Sequence, residues 1–459
     1  LTRASQLDLR GVPDSGGIWA PGLSHDGHRY HLTFTVVRAR EGFPLVAVSN
    51  GLVTADAPEG PWSDPIFLHG RGWDPFLFHD PDGSKWLLSM RLDVRPGTPA
   101  FRGIIMQRYD ERQTRLVGPV STIFEGTALG VTEGPQLFVR EGRYVLVTAE
   151  GGTSFGHAVT VARSERREGP YEPDPAGPML TSRDAHDVPL QKAGHASFVE
   201  APDGRWFLAH LCARPWREGR GSLFGRETAI QEVAWTADGW PRLAGGGHHP
   251  RTVVGEAGGP DARRVAGSFE RDDFAGPTLG NAWSTLRSIP DAGWVSLRGR
   301  AGGLRLRGRD PLFSRHEVSL VARKVQHLRG RAETVVDFAP VCDAQSAGLV
   351  LFHDTRDYMY LHVTCDEGGG RCIALTAADQ GRHARRAPPV PLDASDAVWL
   401  AVDMDEESAR FSFSRDGRSY HAIGGSLPIE VLLDDHGGKD SFTGAMVGVA
   451  VEDPATRQR

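Results

Sequence analysis

Two carboxylic acids, Asp74 and Glu133, and one imidazole, His195, stand at matching places in a recurring pattern of this 459-residue sequence. Each leads into an apolar strand that ends in a tight glycine turn: WDPFLFHDPDG from Trp73, TEGPQLFVREG from Thr132 and GHASFVEAPDG from Gly194. A fourth copy, WAPGLSHDG, places Trp19 and Ala20 at the same point. Carboxyl groups can divide acid and base work between them, and aromatic rings stack on the apolar face of a sugar. Taken singly, an acid ahead of a strand is more often a turn or cap residue, and a single histidine more often a core residue. Their recurrence at one position of a repeat is what points to a shared site.

The elements that would bring these residues together are legible in the same repeat. The turn pairs Asp26-Gly27, Asp82-Gly83, Glu141-Gly142 and Asp203-Gly204 lie between apolar runs, which is a hairpin signal. A second hairpin separates successive heads, as in GIIMQRYDERQTRLVGPVSTIFEG and RETAIQEVAWTADGWPRL. Two hairpins make a four-stranded meander, one blade of a β-propeller. Four blades are expected, over residues 20–68, 74–125, 133–180 and 195–245. In such a ring the innermost strands all begin at one end of the axis, so the heads converge. The propeller unit spans 1–250. The stretch 251–267, rich in Gly, Pro and Arg, reads as a linker. From 268 to 459 alternating strands such as AGLVLFHD and YMYLHVTC return without the blade spacing, as in a two-sheet sandwich. The chain is therefore expected to be all-β.

Composition narrows the function classes. With a net charge of −6 and no basic block, nucleic acid and anionic membranes are poor partners. No apolar run has the length of a membrane span. Four cysteines are too few and scattered for a disulfide scaffold. Cys365 and Cys372 flank a glycine-rich turn and are expected to be two thiols rather than a bridge.

Several segments together resemble glycoside hydrolase family 43, in particular its two-domain β-xylosidases: SGGIWAPGLS, WDPFLFHD, VTEGPQLF, QKAGHASFV, LAHLCARPW and FGRETAIQEVAW. The segment GGKDSFTGAMVGV resembles the concanavalin-like C-terminal domain of those enzymes. The resemblance implies a five-bladed propeller and an inverting hydrolase that takes xylose from β-1,4-xylo-oligosaccharides or arabinose-substituted xylan fragments. It implies that Glu133 is the general acid and that Asp74 orients it and raises its pKa. Arg226, in G-R-E-T, would contact substrate. Trp19, Trp73 and Phe442 would wall the sugar pocket, with Thr153 and His195 also at the site. No cofactor is required; some members hold a calcium near the position of His195, although a single imidazole is a poor basis for a hard-cation site. A homo-oligomer and a cytoplasmic location are compatible with the resemblance.

One departure matters. The family's general base is an aspartate in an H-P-D-P-S type motif at the head of the first blade, and this sequence has no such motif. The sequence also opens at Leu1 instead of methionine. The expectation is a chain without its first blade and last sandwich strand, whose intact parent is the hydrolase and which alone turns over little. Two other readings remain open: an α-L-arabinofuranosidase of the same family, and a non-catalytic carbohydrate-binding protein. Invertase-like fructosidases are disfavoured, because their R-D-P triplet is Trp73-Asp74-Pro75 here and their glutamate-cysteine pair is Glu133-Gly134.

Overall fold

The computed structural model describes residues 3, 5–255, 270–300, 302–393 and 397–454. Most of the expected linker, 256–267, therefore lies outside the described residues. Four antiparallel sheets follow one another along the first half of the chain. The first contains β1 (Gly17–His25), β2 (Tyr30–Arg40), β3 (Val46–Ala55) and β4 (Ile66–His69). The second contains β5 (Phe76–His79), β6 (Lys85–Leu92), β7 (Phe101–Asp110) and β8 (Arg115–Phe124). In the third, β9 (Glu133–Arg140), β10 (Arg143–Glu150) and β11 (Ala158–Ser164) precede the short β12 (Glu172–Pro173) and β13 (Leu180–Thr181), both paired with β11. The fourth is β14 (Gln191–Glu200), β15 (Trp206–Ala213), β16 (Glu227–Trp235) and β17 (Pro241–Leu243).

The local chemistry of the first hairpin in each sheet explains its register. Gly27, Gly83, Gly142 and Gly204 all take φ between 76° and 93°, a region open to glycine at no steric cost. In three of the four the preceding aspartate braces the turn. Asp26 Oδ1 accepts the Arg29 N–H at 2.8 Å, and Asp82 Oδ1 accepts the Ser84 N–H at 2.7 Å. Facing sheets are joined by apolar side chains. Leu52, Leu77 and Leu87 fill the space between the first two sheets, Leu88, Met106 and Leu146 that between the second and third, and Val147, Phe198 and Leu208 that between the third and fourth. The inner strands β1, β5 and β9 border one cavity of about 370 Å³, lined by Leu23, Phe76, Leu77, Leu137 and Phe138 among others. The outer strand β8 is mostly exposed, as expected for a blade's rim.

The second half is a sandwich of an eight-stranded and a five-stranded antiparallel sheet, with a separate two-stranded ribbon of Val295–Ser296 and Arg305–Leu306. Its central strands Ser346–Asp354 and Asp357–Cys365 are buried at every position, although their sequences alternate only in part. The reason is that both faces are covered. Leu349 and Leu361 pack toward the other sheet, while Val350 and Tyr360 pack against Leu312 and Leu320. Cys365 pairs with Arg371 and Cys372 with Thr364, so the two thiols are one residue out of register and point to opposite faces; both are free and buried.

The two halves meet along a backbone contact. The Arg226 N–H donates to the Phe442 carbonyl at 3.0 Å, and the Ala445 N–H to the Leu223 carbonyl at 2.8 Å. Two glycines permit this approach. A Cβ on Gly225, whose φ is +67°, would stand 2.3 Å from the Thr443 carbonyl carbon, and one on Gly444 would stand 2.2 Å from the Phe224 oxygen. Gly225→Ala is expected to destabilise the protein by about 1–3 kcal/mol through this clash and the left-handed φ. Urea denaturation measures it, and an unchanged midpoint would contradict the packing. Among the described residues no helix is long and apolar enough to cross a membrane.

Candidate active site

Asp74 precedes β5, Glu133 is the first residue of β9, His195 lies in β14 and Trp19 in β1. Asp74, Glu133 and Trp19 thus stand at or near the start of an inner strand, whereas His195, expected to head its strand, is the fifth residue of β14, which begins at Gln191. Asp74 and His195 both take left-handed backbone conformations, φ 55° and 46°, which side chains other than glycine adopt sparingly. The turn at Asp74 is held by the first sheet. Its N–H donates to Thr35 Oγ1 at 3.2 Å; Thr35 donates to Asn50 Oδ1 at 2.6 Å, and Asn50 Nδ2 donates to the Gly72 carbonyl at 2.8 Å.

Asp74 and Glu133 are 7% and 5% exposed, and the backbone between the third and second sheets ties them together. The Gly134 N–H donates to Asp74 Oδ2 at 3.0 Å, and Trp73 Nε1 donates to Glu133 Oε2 at 2.9 Å. Gly134 is needed here for a second reason: a Cβ would lie 2.8 Å from His195 Nε2, so only glycine lets the imidazole rest on the strand. Burial pushes the Glu133 carboxyl up to about 8, with the neighbouring Asp74 charge adding to the effect and the Trp73 N–H opposing it. Burial pushes Asp74 up to about 7, opposed by the Gly134 N–H. Burial and the closeness of the two carboxyl groups disfavour a second negative charge, so the pair holds on to a proton toward neutral pH. Burial lowers the His195 pKa, opposed by the Glu133 carboxyl.

Aromatic rings continue the site toward the second half of the chain. Trp19 meets Trp73 edge-on at 5.4 Å and Phe442 edge-on at 5.7 Å. Trp73 is only 2% exposed, so its ring backs Glu133 while Trp19 and Phe442 remain partly open. The Arg226 guanidinium lies 5.7 Å from the Phe442 ring. Its Nη2 donates to the Thr153 carbonyl at 2.8 Å, and its Nη1 pairs with Asp434 at 2.6 Å. Thr153 therefore takes part through its backbone. Phe43 and Phe101 also pack on Trp73, at 5.6 Å each, and Arg40 lies over Trp19 and Phe43. Among the described residues, groups of three metal-competent donors occur at Asp26–His31–His79, Asp184–His248–His249 and Asp357–Asp379–His436; none includes His195.

Residues 1–241 match the model for "Glycosyl hydrolases family 43", and residues 271–459 match "Beta xylosidase C-terminal Concanavalin A-like domain". The chain belongs to glycosyl hydrolase family 43. Family 43 relatives include a xylan 1,3-β-xylosidase of Vibrio sp, 38% identical over 474 residues, covering 100% of this chain and 87% of the relative. Xylosidase/arabinosidase 43B of Humicola insolens is 40% identical over 462 residues, covering 99% of this chain and 85% of that one. A solved family 43 structure, xylan β-1,4-xylosidase from Bacillus halodurans C-125, superposes with a TM-score of 0.94 at 44% identity, covering 100% of this chain and 88% of that one. The family's inverting glycosidase chemistry and its propeller-type and concanavalin-like domains are accordingly those of this chain.

Within the family 43 framework the structure gathers Asp74, Glu133, Trp19, Trp73, Phe442, Arg226, Thr153 and His195 about one region. Sequence reasoning missed Thr35, Asn50 and Asp434. The first two sit in strands of ordinary alternating pattern, and Asp434 follows the apolar run IEVLL in a polar turn. No spacing or repeat marks any of the three.

Proposed function

We propose that Glu133 is the general acid and Asp74 its charged neighbour in a reaction that releases xylose from β-1,4-xylo-oligosaccharides. The observation that carries this reading is the buried pair itself, Asp74 held by the Gly134 N–H and Glu133 by Trp73 Nε1, with burial raising the pKa of both carboxyl groups. In the reaction the Glu133 carboxyl donates its proton to the glycosidic oxygen as that oxygen's bond to the anomeric carbon breaks, while a water oxygen bonds to the same carbon from the opposite face and gives up a proton to a base. Asp74 keeps that proton in place until it is needed, by disfavouring a second negative charge beside its own. Trp19 and Phe442 stack on the sugar, Trp73 holds the acid from behind, and Arg226 contacts the sugar hydroxyls with the guanidinium hydrogens that Thr153 and Asp434 leave free. Proton transfer between carboxyl groups, sugar and water requires no cofactor. We assign the water-activating base to no residue of this sequence. The four sheets fit a five-bladed ring whose remaining blade is not among β1–β17. Domain limits of 1–250 and 268–459, joined by 251–267, suit this arrangement.

The sugar is chosen on the relatives, which include xylosidases of Vibrio sp and Bacillus halodurans. The Humicola relative's double name favours a second reading, α-L-arabinofuranosidase action, since the two pentoses offer similar hydroxyls to one pocket. Paired assays on 4-nitrophenyl β-xyloside and 4-nitrophenyl α-L-arabinofuranoside separate them. Faster release from the xyloside is expected. Faster release from the arabinofuranoside would overturn the substrate assignment, and xylose binding without turnover of either would favour a carbohydrate-binding protein.

A further inference from the structure

The guanidinium of Arg226 is fixed from both ends, and one of the two partners comes from the other half of the chain. Asp434 lies 208 residues away in sequence, in the turn after the 3₁₀ segment Ile429–Leu432 of the sandwich. Its carboxylate is 1% exposed and accepts from three donors of the first half. Arg226 Nη1 donates to Oδ2 at 2.6 Å, Lys192 Nζ to Oδ2 at 3.1 Å and to Oδ1 at 3.3 Å, and the Ser222 N–H to Oδ1 at 2.8 Å. The Arg226 and Lys192 side chains are 6% and 4% exposed. Two buried cations therefore share one buried anion; burial and then the Arg226 charge depress the Lys192 pKa, and Asp434 opposes them.

We infer that Asp434 is a positioning residue for sugar binding: the sandwich supplies the carboxylate that aims Arg226 at the substrate. The proposal rests on the reading that Arg226 contacts the sugar. Its physical content is simple. A guanidinium is a rigid planar fork, and two fixed acceptors at its two Nη atoms set both its position and its plane. Removing the carboxylate leaves the Thr153 carbonyl as a single pivot and leaves Lys192 and Arg226 repelling one another in a site of low dielectric. The arginine then swings away from Lys192 and from the sugar. Backbone attachment of the two halves does not depend on Asp434's side chain, because the Arg226–Phe442 and Ala445–Leu223 hydrogen bonds and the Gly225–Gly444 contact persist without it. The side chain's role is therefore separable from docking as such.

The test titrates xylose into the full chain and follows tryptophan fluorescence, with Trp19 as reporter. D434N is expected to raise the dissociation constant about tenfold or more, and R226A to do the same. The double variant D434N/R226A should bind no more weakly than R226A alone, since both changes remove one interaction. D434E, which restores the charge, should recover part of the loss. A merely structural role predicts that the two losses multiply and that D434E and D434N behave alike. Where D434N does not fold, D434N/K192M, which restores the original charge balance, takes its place with the same expected loss. If R226A weakens binding while D434N stays within twofold of the parent, the positioning role is overturned and the reading of Arg226 stands. Unchanged binding in R226A overturns both.

Discussion

Glu133→Gln is expected to lower hydrolysis of xylobiose by roughly 10² to 10⁴-fold, the usual worth of a positioned general acid. Glutamine keeps the size of the side chain and can still accept the Trp73 N–H, so the pocket should hold its shape. What it loses is the proton. The size of the loss should depend on the leaving group. A sugar hydroxyl leaves poorly without protonation, whereas an acidic phenol needs little help. Aryl xylosides with strongly acidic phenols should therefore lose far less than xylobiose. A steady-state comparison of E133Q with the parent across a series of aryl xylosides and xylobiose measures this. Equal losses along the series would assign Glu133 to binding and not to proton donation.

Asp74→Asn should move the alkaline limb of the pH–rate profile to lower pH. The sign follows from the two carboxyl groups. The acid works only while protonated, so activity falls as pH rises through the Glu133 pKa, which burial and the Asp74 charge hold near 8. Asparagine removes that charge, favours ionisation of Glu133, and brings the limb toward acid. Burial, the larger cause, remains, so the limb should not return all the way to that of a free glutamate. Each unit of displacement corresponds to about 1.4 kcal/mol of lost repulsion. Asparagine tolerates the left-handed conformation at this position, and its amide oxygen can still accept the Gly134 N–H, so the turn should survive. A profile of kcat/KM against pH for D74N and the parent decides the matter. An unmoved limb would show that Asp74 does not act on Glu133 through charge.

How far the sequence reveals this molecule depends on which interactions repeat. The turns around Asp26, Asp82 and Asp203 recur with the same acid-to-N–H chemistry, the shorter Glu141-Gly142 turn falls at the matching place, and this recurrence made the sheets and the head positions readable. Phe442 was readable only through resemblance, because a phenylalanine between two apolar segments carries no sign that it crosses to another domain. Asp434 could not be read at all. Its meaning lies in meeting Lys192, Ser222 and Arg226, three residues from remote strands and loops, and no local pattern encodes that meeting. A weaker signal was present in the glycines. Gly225 and Gly444 each lie in a motif of the domain junction, and their need for close backbone approach becomes evident only when the two are opposed. The two-faced burial of Ser346–Asp354 and Asp357–Cys365 was equally hidden, since partial alternation does not tell one covered face from two.

Carbon-13 labelling of glutamate side chains, with the Glu133 carboxyl resonance assigned by its disappearance in E133Q, allows a direct titration of that group in the parent and in D74N. Titration of the parent signal near pH 8, and at a clearly lower pH once Asp74 carries no charge, is the expected result. A Glu133 carboxyl that titrates like a solvent-exposed glutamate, or one indifferent to the change at Asp74, would contradict the proton-holding pair.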